Sequence, residues 1–268
     1  MRIVGIDPAP SKPSTICDPY ESMENPFRSL EPEELDSKIT EWEKKTPAGD
    51  SLLICWDAPL TGPPLNSDGN LPGNPYSQRP IDSFFAKSKS THFWGTHKVT
   101  GISVQNYSGC QHWAITQALL GYPQVSNDCK RELHWELQTG ETYSRSSGGR
   151  DIAEVHPALA LWLMLPEGQR HSDKGFRYKG TNAREEAKQE LFNGLKSFVA
   201  ETEAEDVVKS QQAGNLNDDE LDALTAWVLG RLWTTEADKV RLLGNETYGT
   251  FLLPADEKME EKFKCFVS

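Results

Sequence analysis

Three acidic residues each lie at or near the end of a short apolar segment. Asp7 follows the run RIVGI, Asp57 follows the run LLICW, and Glu154 lies within the sequence DIAEV. In open α/β sheets, ligands bind at the edge formed by the carboxyl ends of the strands. If the three segments are strands, Asp7, Asp57 and Glu154 are candidate catalytic residues at one edge of a sheet.

Two further acids, Asp219 and Asp222, lie in the segment DDELDAL. Residues three apart in a helix project on the same side, so the two carboxylates would face one direction. Leu221, Leu224 and Val228 then form an apolar stripe with which the helix can pack on the sheet. We therefore expect this helix to bring Asp219 and Asp222 to the strand acids.

Carboxylates held close together resist joint ionisation, so such a cluster needs compensating positive charge. Two Mg²⁺ or Mn²⁺ ions about 4 Å apart supply that charge, activate a water molecule and stabilise the leaving oxygen of a phosphodiester. Ligand sets made only of oxygen suit these hard cations rather than zinc. We predict a metal site formed by Asp7, Asp57, Asp219 and Asp222.

Each acid also has a structural explanation. Asp7 and Asp57 lie just before prolines and can cap turns, and Glu154 can pair with a neighbouring histidine. Acidic side chains in the first turn of a helix interact favourably with the helix dipole, and this interaction is enough to explain Asp219. Asp222 is harder to explain in this way because it lies deeper in the helix, among apolar neighbours.

Basic residues near these motifs are candidates for binding a substrate phosphate. Arg79, Arg150, Lys179 and Arg184 can form a rim, with the first two on loops and Arg184 on a helix. The alternative for each is an ordinary solvated surface residue.

The elements that must position these residues follow from apolar patterning. Strands are predicted at 2–6, around 15–17, and at 52–56, 152–155 and 247–253, the third buried on both faces. A helix with Leu35, Ile39 and Trp42 on one face has Ser29 as its expected cap and Pro32 in its first turn. Further helices are predicted at 81–86, 111–120, 157–164, 182–199 and 218–232. The Pro- and Gly-rich stretch at 61–80 is predicted to be a functional loop or lid, within a single elaborated α/β domain.

Composition limits the possible partners. The chain has 268 residues, with 40 acidic and 28 basic side chains and a formal net charge of -12. This charge disfavours long duplex DNA, so any nucleic-acid partner is expected to be short or structured, or a nucleotide. No apolar run approaches the roughly 18 residues that span a bilayer. Five cysteines without close pairing, and an amino terminus that reaches Asp7 too early for a signal peptide, predict a cytoplasmic protein.

The motifs GIDPA, CWDAPL, AEVHPALALWL and DDELDALTAWVLGR occur here in the order found in a known family. The chain resembles a family of predicted RNase H-like nucleases (domain of unknown function four-two-nine). The resemblance covers nearly the whole chain and includes 79–82, 178–179 and 246–249. The last motif also looks like the closing motif of RuvC-type resolvases, within the wider RNase H-like superfamily.

The resemblance implies a mixed sheet flanked by helices, with two antiparallel strands after the first strand. It also implies a metal-dependent acidic site, in which Asp7 is the first-strand acid and Asp57 the central-strand acid. Asp219 and Asp222 would be the helix pair, and Glu154 matches a family motif without an assigned role. Residues 1–268 would form one RNase H-like domain with an insertion at about 61–80.

These observations predict a divalent-metal nuclease or phosphodiesterase that uses Mg²⁺ or Mn²⁺. A non-catalytic binding or scaffold protein that keeps the acids for structure is the alternative from another class. A phosphotransferase related to actin-like ATPases is a third, although the chain is short for the duplicated domain of such enzymes.

Overall fold

The apolar runs at 2–6 and 52–56 form adjacent strands at the centre of the sheet. In the computed structural model, β1 (Arg2–Asp7) pairs in parallel with β4 (Leu52–Trp56). Every residue of β4 is buried, which confirms the prediction of a strand covered on both faces. The structure describes residues 1–9, 12–47, 49–58, 60, 79–86, 135–170, 178–179 and 183–268. The predicted helix at 111–120 and most of the predicted insertion at 61–80 lie outside these residues.

Two antiparallel strands follow β1, as the family resemblance implies. β2 (Ser14–Cys17) pairs antiparallel with β1, and β3 (Phe27–Leu30) pairs antiparallel with β2. On the other side, β6 (Arg150–Glu154) pairs in parallel with β4, and the short β5 (Glu136–Leu137) pairs in parallel with β6. The resulting sheet has the order β3-β2-β1-β4-β6-β5.

Helices cover both faces of this sheet, and a separate hairpin precedes the last helix. The described residues contain the helices α1 (Pro32–Lys45), α2 (Pro80–Ala86), α3 (Pro157–Leu163), α4 (Glu185–Phe198), α5 (Glu205–Lys209), α6 (Asp218–Thr235) and α7 (Glu257–Val267). Single 3-10 turns occur at Glu167–Gln169 and Ala213–Asn215. The hairpin consists of β7 (Val240–Asn245) and β8 (Gly249–Pro254).

The start of α1 differs from the sequence prediction. Ser29 pairs with Thr15 inside the sheet, so it is not available as the helix cap, and the prediction that it caps α1 is wrong. The N-cap is Glu31, which forms a capping box with Glu34. Such a box satisfies backbone N–H groups that have no partner in the first helical turn.

The sheet separates two apolar clusters. Val4 and Ile6 of β1 pack with the buried face of α1, whereas Ile3 packs with α6 on the opposite side. Consecutive side chains of a strand point to opposite faces. Asp7, at the end of the same strand, therefore lies on the face that α6 covers.

A glycine allows α6 to lie directly against β1. A Cβ atom on Gly5 would lie 2.1 Å from the carbonyl oxygen of Ala223 and 2.5 Å from the backbone nitrogen of Trp227. Both distances are shorter than any normal contact, so only glycine fits here. This close approach places the amino-terminal half of α6 beside the end of β1.

The described residues form a single α/β domain with a six-stranded mixed sheet between helices, consistent with an RNase H-like fold. Among these residues, we find no helix with both the length and the apolar character required to cross a bilayer.

Candidate functional site

The carboxyl groups of Asp7, Asp57 and Asp222 meet at one edge of the sheet. One carboxylate oxygen from each residue lies within 4.8 Å of the other two. Asp7 ends β1, and Asp57 directly follows β4. The backbone N–H of Asp57 donates to the carbonyl of Ile6 at 2.9 Å, which holds the two strand ends together. We call these three residues the acid triad.

Helix α6 supplies the third member of the acid triad. The helix begins with a capping box, in which the side chain of Asn217 accepts from the N–H of Glu220 and Glu220 accepts from the N–H of Asn217. Leu221, Leu224 and Val228 are buried against the sheet as predicted. Asp222 is also fully buried, so its carboxylate points into the protein rather than into solvent.

Asp219 lies beside the acid triad rather than within it. Its carboxyl reaches Asp7 closely enough to raise the pKa of that residue. It also forms an ion pair with the exposed Lys12. The helical spacing thus brings both α6 acids to the strand ends, with Asp222 buried and Asp219 nearer to solvent.

Asp222 has a partner on each of its oxygens. The hydroxyl of Tyr178 donates to Oδ1 at 2.6 Å, and the ammonium of Lys179 forms an ion pair with Oδ2. Tyr178 is buried, and the pKa of its phenol is raised by burial and by the nearby charges of Asp57 and Asp7. The phenol therefore stays protonated and acts as a hydrogen-bond donor.

The electrostatics of the acid triad oppose full ionisation. Burial raises the pKa of Asp57 to about 6, and the positive charge of Lys179 counteracts this effect. The pKa of Asp7 is raised well above its ordinary value, first by burial and then by the charges of Asp57 and Asp219. Burial and like charges both favour the neutral acids, so Asp7 and Asp57 bind protons more readily than isolated aspartates.

Glu154 lies in a different buried network. Arg79 donates to its two carboxylate oxygens at 2.6 and 2.7 Å, and to Asp82 through Nε at 2.9 Å. The backbone N–H of Leu60 also donates to Glu154, at 3.0 Å. All three charged side chains are almost completely buried. We call Arg79, Asp82 and Glu154 the Arg79 network.

The pairing of Glu154 with Trp56 in the sheet explains why Glu154 is absent from the acid triad. Glu154 is in register with Trp56, whose side chain belongs to the apolar cluster on the α1 face. Asp57 follows Trp56 and therefore points to the other face. The partner of Glu154 is Arg79 rather than the neighbouring His156, whose pKa is lowered to about 3 by burial and by the charges of Lys179 and Arg79.

The structure does not assemble the predicted basic rim as a unit. Arg79 is buried in its own network. Arg150 begins β6, at the end of the strand opposite Glu154, where it donates to the backbone carbonyls of Glu43 and Thr46. Arg184 is exposed at the start of α4. Lys179, the fourth predicted residue, contacts Asp222 of the acid triad.

Lys12, Tyr178 and Asp82 were missed as individual site residues. Tyr178 and Lys179 both contact Asp222. Tyr178 and Asp222 are 44 residues apart in the sequence, so no local pattern predicts their contact. For Asp82 a local pattern does exist, because an arginine and an aspartate three residues apart can form an ion pair, as Arg79 and Asp82 do.

The donor set fits a hard divalent cation. Each member of the acid triad offers a carboxylate oxygen, and oxygen is the ligand atom that Mg²⁺ and Mn²⁺ prefer. Oxygens bound to one Mg²⁺ lie at most about 4.2 Å apart, because each bond is about 2.1 Å long. One oxygen from each of Asp7, Asp57 and Asp222 lies within 4.8 Å of the other two, which is close to that limit.

The fold and the site together define an α/β domain with a carboxylate cluster at the carboxyl ends of its central parallel strands. The family model described as "Protein of unknown function (DUF429)" matches residues 135–247. This match agrees with the predicted resemblance to domain of unknown function four-two-nine over these residues, which include Glu154, Lys179 and both α6 acids. No curated protein and no solved structure matches the chain.

Proposed function

We propose that this protein is a divalent-metal-dependent phosphodiesterase or nuclease. The observation that carries the proposal is the convergence of three carboxylates within 4.8 Å at the end of the central strands. The three carboxylates lie close together, with Asp222 fully buried and Asp7 and Asp57 half-buried, an arrangement that is typical of a functional site rather than of ordinary surface charges. Their ligand chemistry favours Mg²⁺ or Mn²⁺ as the cofactor.

In this proposal, Asp7, Asp57 and Asp222 hold the cation, and Asp219 stands next to Asp7 at the solvent side. A bound Mg²⁺ or Mn²⁺ would supply Lewis-acid activation of water and charge stabilisation at a phosphodiester. Tyr178 fixes the orientation of Asp222 through its 2.6 Å hydrogen bond. Lys12 and Lys179 bring positive charge to the opening of the site, where an anionic phosphate would bind.

The substrate class follows from charge. A protein with a net charge of -12 repels long polyanions in general. We therefore propose a short or structured nucleic acid, or a nucleotide, as substrate. We also propose a cytoplasmic location, which the free thiols of Cys17, Cys55 and Cys265 support.

The proposal is tested by comparing wild type with Asp57→Asn and the control Asp238→Asn. Asp238 is exposed and lies in the turn after α6, so its variant changes the net charge equally without touching the site. We expect Mn²⁺-dependent hydrolysis of bis(p-nitrophenyl) phosphate and of short labelled oligonucleotides by wild type and Asp238→Asn. We expect Asp57→Asn to lose both hydrolysis and Mn²⁺ binding in calorimetry.

A wild-type protein that neither binds Mn²⁺ nor hydrolyses any of these substrates would contradict the proposal. That result would favour the non-catalytic scaffold protein, in which the acids serve packing alone. Retained hydrolysis in folded Asp57→Asn would also contradict it, because the acid triad would then be dispensable.

A further inference from the structure

The acid triad already contains a positive charge supplied by the chain itself. The ammonium of Lys179 forms an ion pair with Oδ2 of Asp222. Its charge also lowers the pKa of Asp7 and of Asp57, against the effect of burial. Asp222 is fully buried, whereas the Lys179 side chain is 40 % exposed. One ammonium group thus contacts the buried carboxylate of Asp222, although its side chain is partly exposed to solvent.

We propose that Lys179 is a displaceable counter-ion, which a divalent cation removes from Asp222 when it binds the acid triad. The inference rests on the proposed function, because it takes the acid triad to be a metal site. It adds a residue that sets the affinity of that site without being a ligand.

The two oxygens of Asp222 differ in how easily they can be released. Oδ1 is held by the buried hydroxyl of Tyr178, which has no charge to repel a cation. Oδ2 is held by an ammonium, and a metal ion cannot share this oxygen with a second positive charge at contact distance. Lysine carries a strongly hydrated ammonium on a flexible four-carbon stem, so the ammonium can move into solvent at small cost.

The displacement predicts that removing the ammonium strengthens metal binding. Metal-stripped wild type, Lys179→Met and Lys179→Arg are titrated with Mn²⁺ by calorimetry. We expect Lys179→Met to bind roughly tenfold more tightly, which corresponds to about 1.4 kcal/mol. Lys179→Arg keeps the charge and should bind no more tightly than wild type.

A matched control removes a lysine from an ion pair elsewhere. Lys45 pairs with Glu41 on α1 and is exposed. Lys45→Met changes the net charge by the same amount as Lys179→Met, so we expect Mn²⁺ affinity equal to that of wild type. A general effect of net charge would instead move both variants together.

A second measurement needs no variant. Wild-type protein is acetylated with and without Mn²⁺, and the labelling rate of each lysine is measured by mass spectrometry. Release of Lys179 from Asp222 should increase its labelling rate when Mn²⁺ is present, while the rate at Lys45 stays constant.

The outcomes separate this inference from the proposed function. If Lys179→Met and wild type bind Mn²⁺ equally, and Asp57→Asn still abolishes binding, the displacement is overturned and the metal site stands. Labelling of Lys179 that Mn²⁺ leaves unchanged overturns the displacement as well. If neither wild type nor Lys179→Met binds Mn²⁺, both the inference and the metal site fail.

Discussion

At the scale of single residues, the ionised carboxylate of Asp57 in the acid triad destabilises the folded protein. A carboxyl whose pKa is higher in the folded than in the unfolded protein destabilises the fold once it ionises. Burial raises the pKa of Asp57 to about 6 from an ordinary value of 3.8. Its contribution is therefore most favourable at low pH and is lost as the pH rises through about 6. This is the opposite of the usual behaviour of an ion-paired aspartate.

We therefore expect Asp57→Asn to stabilise the metal-free protein, and to do so more at pH 7.5 than at pH 5.5. The expected gain at pH 7.5 is about 1–3 kcal/mol, at about 1.4 kcal/mol for each unit of pKa. Chemical denaturation of both proteins at the two pH values, in the presence of a chelator, measures it. A pH-independent loss of stability would show instead that the Asp57 carboxylate is needed for the fold.

The Arg79 network separates a structural role for Glu154 from a catalytic one. Arg79→Met leaves Asp82 and Glu154 buried without their shared partner, so we expect a loss of about 3–5 kcal/mol of stability. Glu154→Gln removes one charge and leaves the Arg79–Asp82 pair, and its loss should be smaller. Denaturation curves compare the two variants.

Activity completes this comparison. Folded Glu154→Gln should bind Mn²⁺ as wild type does and retain most of its turnover, because Glu154 points away from the acid triad. A variant that is stable and binds Mn²⁺ but does not turn over would support the predicted catalytic role of Glu154 and contradict the structural one.

At the scale of elements, sequence patterning predicts the strands and helices that have apolar residues at regular spacing. β1, β4 and α6 follow from such patterns, and so do Asp7, Asp57 and the α6 acids at their ends. β3 was not predicted from its residues, because a four-residue strand with two exposed positions has no clear period. The family resemblance supplied it instead.

The residues that were not predicted have one physical cause in common. Lys12 contacts Asp219, and Tyr178 contacts Asp222, through tertiary contacts between distant segments; Lys179 was predicted to bind substrate, but its contact with Asp222 was not. Local spacing carries no information about such contacts. Sequence reasoning therefore found the acids at the ends of regular elements and missed most of the groups that neutralise them.

The contact between α6 and β1 makes a prediction at this same scale. Gly5→Ala places a methyl group 2.1 Å from the carbonyl oxygen of Ala223, so the helix must shift away from the strand. We expect a loss of about 1–3 kcal/mol of stability or more, together with weaker Mn²⁺ binding, because Asp222 moves with α6. Thermal unfolding and calorimetry measure the two effects.

Gly168→Ala is the control for this change. No atom lies within 4 Å of a Cβ atom at that position, so stability and Mn²⁺ affinity should remain near those of wild type. Equal behaviour of the two variants would contradict a close-packing role for Gly5.

At the scale of the whole molecule, one sheet supports both the packing and the site. Its two faces carry separate apolar clusters, and its carboxyl edge carries the acid triad. The charges of the site belong to a chain that is acidic overall, at -12. The proposed anionic substrate would therefore meet a molecule that repels it overall and has local positive charge at Lys12 and Lys179.

This contrast predicts how salt affects substrate preference. Salt screens repulsion between like charges, and the repulsion is greatest for long duplex DNA, with one charge per about 1.7 Å of its length. With Mn²⁺ present, we expect short oligonucleotides to be hydrolysed faster than long duplex DNA at low salt. The ratio of the rate for short oligonucleotides to the rate for long duplex DNA should decrease as the salt concentration is raised, since screening helps the longer polyanion more.

Hydrolysis of bis(p-nitrophenyl) phosphate, which carries a single charge, serves as the control and should change little. A preference for long duplex that weakens with added salt would contradict the prediction, because it would require an extended attractive surface that outweighs the net charge.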